Sequence, residues 1–177
     1  EGPGYANLHR VMYMQADLWA ARGVGIGVAD ALIAGRAEEI RRRVMPVNHY
    51  QAIDAARLLG FASMSCPTPA DNSVNRFVQH LIDGASPRTL DDLIKLLRSV
   101  PEYADAAVKG YGPIIIQGTG SKRCGTCVVD MTGGTEGPKE ALDKLVAAGV
   151  DTLVGMHYSE EHRKHAEELK LNLVIAG

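Results

Sequence analysis

Apolar positions along the chain change their rhythm from one half to the other. In the first half they recur at helical spacing. Leu8, Met12, (Met14) and Trp19 recur between Tyr5 and Arg22 with polar residues between them, which predicts an amphipathic helix. Gly23 to Val28 alternates glycine with apolar residues and reads either as a short strand or as a flexible connection. Asp30 then caps a second helix running to Arg43, which Pro46 terminates. Asn48 caps a third, from His49 to Leu59, with Ala52, Ile53, Ala56 and Leu59 on one face. Phe61 to Ser65 reads as a short buried strand, followed by a loop from Cys66 to Asn72 that its two prolines stiffen. A helix from Ser73 to Ile82, a break over Gly84–Pro87 and a helix from Leu90 to Val100 follow, the last opened by Thr89 and Asp92 as a capping pair. Pro101 to Gly112 is expected to be poor in helix and to separate two subdomains, 1–104 and 105–177.

The second half replaces helical spacing with short apolar runs. Pro113–Gln117 and Cys127–Met131 read as strands. Pro138 opens a helix, Lys139–Ala148, which Gly149 closes. Val150–Met156, the charged segment Ser159–Leu169 and Leu171–Ala176 form a strand, crossover helix and strand, the βαβ unit of a parallel sheet. The pattern is that of an α/β protein.

Composition narrows the class. The chain has 177 residues, 46% hydrophobic and 23% charged, with a formal charge of −2. These are the proportions of an ordinary globule, and they lack the basic excess of a general nucleic-acid binder. No apolar stretch reaches the roughly 18 residues of a membrane span. Three cysteines make no disulfide framework, so a reduced, cytoplasmic setting is expected. The start at Glu1, with neither an initiator Met nor a signal peptide, leads us to expect residues before it.

Chemistry gathers at the expected strand ends. Asp71, in the loop beyond a strand, is either a metal-binding carboxylate or the cap of the Ser73 helix. His157, just past a strand's carboxyl end, is either a ligand or general base, or a hydrogen-bonded surface histidine. His157, Glu161 and His165 are spaced four apart with His162 offset, but His157 precedes the helix, so the run reads as a solvated, salt-bridged face. Cys124 and Cys127 have C-x-x-C spacing but run into a strand rather than a helix, and no second pair completes a zinc tetrad; they read as structural thiols. Thr132–Gly137 either cradles an anion on backbone N–H groups or is a tight strand–helix turn.

The succession PTPAD, VVDMTGGT and GVDTLVGMHYSEE…LVIAG resembles the NGG-one-interacting factor three-like (NIF-three-like) family, also called GTP cyclohydrolase I type 2 homologues. The resemblance spans most of the chain from Tyr5 to Gly177. It implies a three-layer α/β fold of two related subdomains with mainly parallel sheets. It also implies toroidal hexamers and a cavity holding two divalent transition-metal ions (zinc, iron or manganese). Of the ligands it implies, only Asp71 carries over. A His-His pair would precede Glu1 and a final histidine would follow Gly177, so the chain is expected to lack both ends of the site. Two positions depart from the family pattern: Pro67 stands where the family has His before Thr68, and Met156-His157 where it usually has Gly-Glu.

These readings lead to a metal-dependent hydrolase acting on a phosphorylated or nucleotide-like small molecule. Asp71 and His157 are the expected metal-site residues, and Thr68, Thr132, Gly133 and Gly134 the expected substrate contacts. A lone carboxylate holds a transition metal poorly, so weak or absent metal is expected in this chain. The alternative is a non-catalytic metal-binding, metal-delivery or ring-scaffold protein. The expected partners are copies of the chain itself and a small molecule, with no membrane and no nucleic acid.

Overall fold

The computed structural model describes residues 7–131 and 136–177. Thr132, Gly133 and Gly134, three of the expected substrate contacts, lie outside them, as does the start of the first helix at Tyr5. Four short strands, β1 (Ile114–Gln117), β2 (Cys127–Asp130), β3 (Thr152–Gly155) and β4 (Asn172–Ile175), form one sheet in the order β1-β4-β3-β2. β2, β3 and β4 are parallel, while β1 pairs antiparallel with β4. The parallel part arises because α8 (Ala141–Ala147) and α9 (Glu160–Leu169) return the chain to the same edge of the sheet.

Both faces of the sheet are covered, which gives three layers. Alternate strand residues divide between two cores. Val128, Leu153 and Leu173 pack with α1 (Leu8–Val11), α2 (Tyr13–Ala20), α3 (Ile26–Val44), α8 and α9. Val129, Val154 and Val174 pack on the other face with Val78 and Ile82 of α5 (Pro67–Ala85) and the leucines of α6 (Leu90–Leu97). Helices from both halves of the sequence thus close on a single sheet, and both the α/β class read from the chain and the three layers implied by the resemblance hold. No described helix is long and apolar enough to cross a membrane.

Several local expectations are corrected. The Gly23–Val28 stretch is not a strand: α3 already begins at Ile26, ahead of Asp30. The Phe61–Ser65 segment is neither strand nor buried; Phe61 is 67% and Met64 83% exposed. The loop expected over 66–72 is instead the opening of α5, with Pro67 as its first residue. A helix's first N–H groups have no intrahelical partner, so Pro67 and Pro69 lose nothing there, and their fixed φ suits the turn. The same logic explains Pro101, which opens α7 (Pro101–Val108) across the expected helix-poor boundary. The capping box predicted for Thr89 and Asp92 is present, with each side chain bonded to the other's backbone N–H.

The third predicted helix, α4 (Gln51–Leu58), forms but buries none of its residues. Its periodicity is genuine, yet no described surface receives it. Leu58, Leu59, Phe61 and Met64 are all well exposed.

Candidate site at the carboxyl edge of the sheet

β2 and β3 end side by side at Asp130 and Gly155. Gln15 of α2 reaches this edge and donates from Nε2 to Asp130 Oδ2 at 2.8 Å. Tyr158 folds back over β3. A Cβ on Gly155 would fall 2.6 Å from the Tyr158 hydroxyl and 3.1 Å from the Asp130 carbonyl oxygen, so only glycine admits the ring here. Gly137 has a matching role, because a Cβ there would meet Gln15 Oε1 at 2.7 Å and the Trp19 ring at 2.9 Å.

Three buried polar atoms in this neighbourhood have no hydrogen-bond partner among the described residues: Tyr158 Oη, Gln15 Oε1 and Trp19 Nε1. Buried polar groups are nearly always satisfied, so such a concentration calls for an explanation. Burial, reinforced by the Asp130 charge, pushes the Tyr158 phenol well above its ordinary value. The hydroxyl is therefore a hydrogen-bond donor throughout the neutral range.

Glu136 is the electrostatic centre of the rim. His157 Nδ1 lies 3.4 Å and His162 Nδ1 3.5 Å from its two carboxylate oxygens. Burial acts to raise the Glu136 pKa, but its own backbone N–H, the Ser159 hydroxyl and the charges of His162 and His157 together bring it below the ordinary range. It is ionised at neutral pH.

His162 is held from both ring nitrogens. Nε2 contacts the Gly137 carbonyl at 2.9 Å and Nδ1 contacts Ser159 Oγ at 2.8 Å. Burial lowers its pKa in spite of Glu136, so the ring is neutral. A carbonyl only accepts, which places a hydrogen on Nε2. His157, by contrast, is half-exposed, and its Nε2 faces outward from the Glu136 contact.

The neutral His162 sets a pH dependence. Its folded pKa lies below the ordinary 6.5, so the unfolded chain binds the proton more readily. Its contribution is fully present above that value and is lost as pH falls through it towards the folded pKa. We expect the urea midpoint to drop between about pH 7 and pH 5 in the native chain, and to drop less in His162→Gln. An equal drop in both proteins would contradict the assignment.

The expected residues can now be placed. Asp71 is not on a loop but inside α5, half-exposed, as the fifth residue of the helix. α5 runs against β2: Gln79 accepts from Val129 N–H, and Asn75, one turn nearer Asp71, accepts from Met131 N–H at 3.0 Å. Asp71 continues that helical face beyond the strand end. Thr68 lies in the first turn of the same helix. Asp71 thus belongs to α5 and His157 to the connection between β3 and α9, and these two helices cover different faces of the sheet. Among the described residues no group of three or more His, Cys, Asp or Glu side chains converges as a metal would require.

The charged run of α9 also divides. Arg163 is paired with Glu160 and Glu167 in solvent, as expected. His165 instead bonds Asp143 of α8 at 2.7 Å, and Glu161 approaches only Lys139. His162, read as part of the solvated face, is buried. Once α9 is seen to begin at Glu160, His162 falls on the same stripe as Ala166 and Leu169, and that spacing was the available signal. Gln15, Trp19, Asp130, Glu136 and Tyr158 were not singled out, because each acquires its role only from neighbours distant in sequence. Cys124 and Cys127 are buried at the opposite edge, and burial pushes the Cys127 thiol up to about 12, as inert structural thiols require.

Among solved structures, a NIF3 superfamily protein from Sphaerobacter thermophilus matches the whole of this chain with a TM-score of 0.81. The chain has the NIF3 fold. The two share 21% sequence identity, and the chain spans 66% of that protein's length. No protein-family model matches the sequence, and no curated protein does. The NIF3 fold is the one the succession of PTPAD, VVDMTGGT and the terminal βαβ unit resembles. Its carboxyl-edge geometry has therefore to be read from this chain's own residues.

Proposed function

We propose that the chain belongs to the NIF3 superfamily and forms the substrate-binding edge of a hydrolase acting on a phosphorylated or nucleotide-like small molecule. The observation that carries this reading is the convergence of Tyr158, Gln15 and Trp19, each with a buried polar atom that has no partner among the described residues, on the edge where open α/β sheets take their ligands. Tyr158 donates to the ligand, and Asp130, held by Gln15, orients it. His157 is the proton-transferring group. The Glu136 carboxylate lies 3.4 Å from its Nδ1 and leaves Nε2 to give or take a proton. Thr68, Thr132, Gly133 and Gly134 are proposed as further contacts on the flanks of this edge.

The family resemblance implies two divalent metal ions. The described residues do not fit such a centre, since no three His, Cys, Asp or Glu side chains converge among them and both nitrogens of His162 are engaged. No step is therefore assigned to a metal.

The test is turnover of a phosphoester and nucleotide panel, with zinc, iron(II) or manganese supplied or withheld. Turnover is expected, and His157→Ala is expected to reduce kcat by about 10²–10⁴-fold. Absence of turnover under every condition overturns the hydrolase reading. Tight metal binding without turnover, abolished in Asp71→Ala, would instead support a metal-delivery protein. A second reading, a scaffold assembled from copies of the chain, draws on the exposed apolar side chains of Leu58 and Phe61. Sedimentation as a monomer at high concentration would remove it.

A further inference from the structure

The opposite, amino-terminal edge of the parallel strands carries a second concavity, independent of the hydrolase reading. Arg22, Arg88 and Arg123 line a cleft of about 850 Å³ together with Ser86, Ser121 and Thr126. Three segments distant in sequence deliver the arginines: Arg22 follows α2, Arg88 precedes the capping Thr89, and Arg123 lies between β1 and β2.

The backbones of the last two are pinned. Thr89 and Arg123 form an isolated antiparallel bridge, the Cys124 N–H donates to the Arg88 carbonyl at 3.1 Å, and Asn172 Nδ2 donates to the Arg123 carbonyl at 3.2 Å. Ser86 holds a left-handed conformation (φ 47°) on the rim, a strained arrangement for a residue with a side chain.

Charge makes the cleft specific. Arg36, Arg41, Arg43, Arg57 and Arg163 each have a carboxylate partner. Arg22, Arg88 and Arg123 have no ion pair among the described residues. Two carboxylates share the cleft, Asp83 hydrogen-bonded by Gln79 Nε2 at 2.8 Å and Asp92 by Thr89; both keep their charge, and that of Asp92 is felt by Arg88, so three arginines stand against two carboxylates. The Cys127 thiol stays neutral and adds no negative charge. The result is a local excess of positive charge in a chain whose formal charge is −2. Guanidinium forks converging from separate elements match the geometry of phosphate oxygens, which they bind bidentately. The cleft has the size of small-molecule sites rather than of an extended groove.

We propose that this amino-edge cleft binds a small polyanion of the phosphate or diphosphate class, held between Arg22, Arg88 and Arg123. Inorganic pyrophosphate is the probe, titrated into the 177-residue chain and followed by amide shifts and calorimetry. Saturable shifts are expected at Ser121, Gly125 and Thr126, weakening as salt is raised. Arg88→Ala and Arg123→Ala should each weaken binding roughly tenfold or more. Arg123→Lys should weaken it less, since it keeps the charge and loses the fork. These side chains lie at the surface, and unchanged thermal melting verifies that the variants fold. No saturable shift at millimolar pyrophosphate, shifts confined to Glu136–His162, or equal binding by native chain and variants would each overturn the proposal. So would an RNA oligomer that binds through these arginines when pyrophosphate does not.

Discussion

Replacing Gln79 with alanine is expected to destabilise the chain by about 2–3 kcal/mol, although the residue lies on a helix and touches no catalytic candidate. β2 is the edge strand of the sheet, and its outer side faces α5 rather than another strand. Gln79 takes the place of that missing strand. Its Oε1 accepts from the Val129 N–H at 2.9 Å, and its Nε2 donates to the Cys127 carbonyl at 3.2 Å. The residue is 8% exposed, so truncation leaves two backbone groups of β2 buried without their partners. Urea unfolding should show a lower midpoint at unchanged slope, with faster hydrogen exchange at the Val129 amide. If Val129 keeps its native protection in Gln79→Ala, the surrogate-strand account is wrong. Gln79→Glu should not rescue the variant, because a carboxylate accepts from Val129 but repels the Cys127 carbonyl.

The larger loss is expected for Leu173→Ala, at about 2–5 kcal/mol. β4 lies between β1 and β3, so Leu173 has a strand on either side. The side chain is wholly buried and belongs to the core shared by α3, α8 and α9. Removing it opens a cavity in the centre of the domain, where helices on one side and neighbouring strands on both limit collapse. Ile114, on the antiparallel edge strand and 48% exposed, is the comparison: its alanine variant should cost far less. Comparable losses at the two positions would mean that the sheet centre is not where the structure places it. Because Gln79 and Leu173 serve opposite faces and share no partner, their effects should add.

The sheet edges explain which part of the candidate chemistry could be read in advance. His157 was identifiable as an edge residue because it follows the apolar run of β3, whereas Asp71 was placed at an edge by a strand over Phe61–Ser65 that does not form, and it belongs instead to α5. Their relation to each other was not readable. Whether two side chains meet depends on which face of the sheet each helix covers, and α5 and α9 cover different ones. The prolines at 67 and 69 misled for a related reason. Proline bars the interior of a helix but not its first turn, and the sequence alone does not say which position a proline occupies.

What the sequence by itself determined is the terminal β2–α8–β3–α9–β4 succession, the capping of α6 by Thr89 and Asp92, and the α/β class, while the three layers were implied only by the family resemblance. These follow from signals spanning a few residues: apolar runs, a cap, and the glycine that ends a helix. Only the tertiary structure decided that β1 runs antiparallel, that His162 is buried against Glu136, and that Gln15 meets Asp130 across 115 residues of chain. It alone brought Arg22, Arg88 and Arg123 around one cleft. The physical reason is common to all four. A side chain's pKa, partner and exposure are set by the low-dielectric, close-packed surroundings that long-range contacts create, and no local pattern encodes which distant segment will supply them.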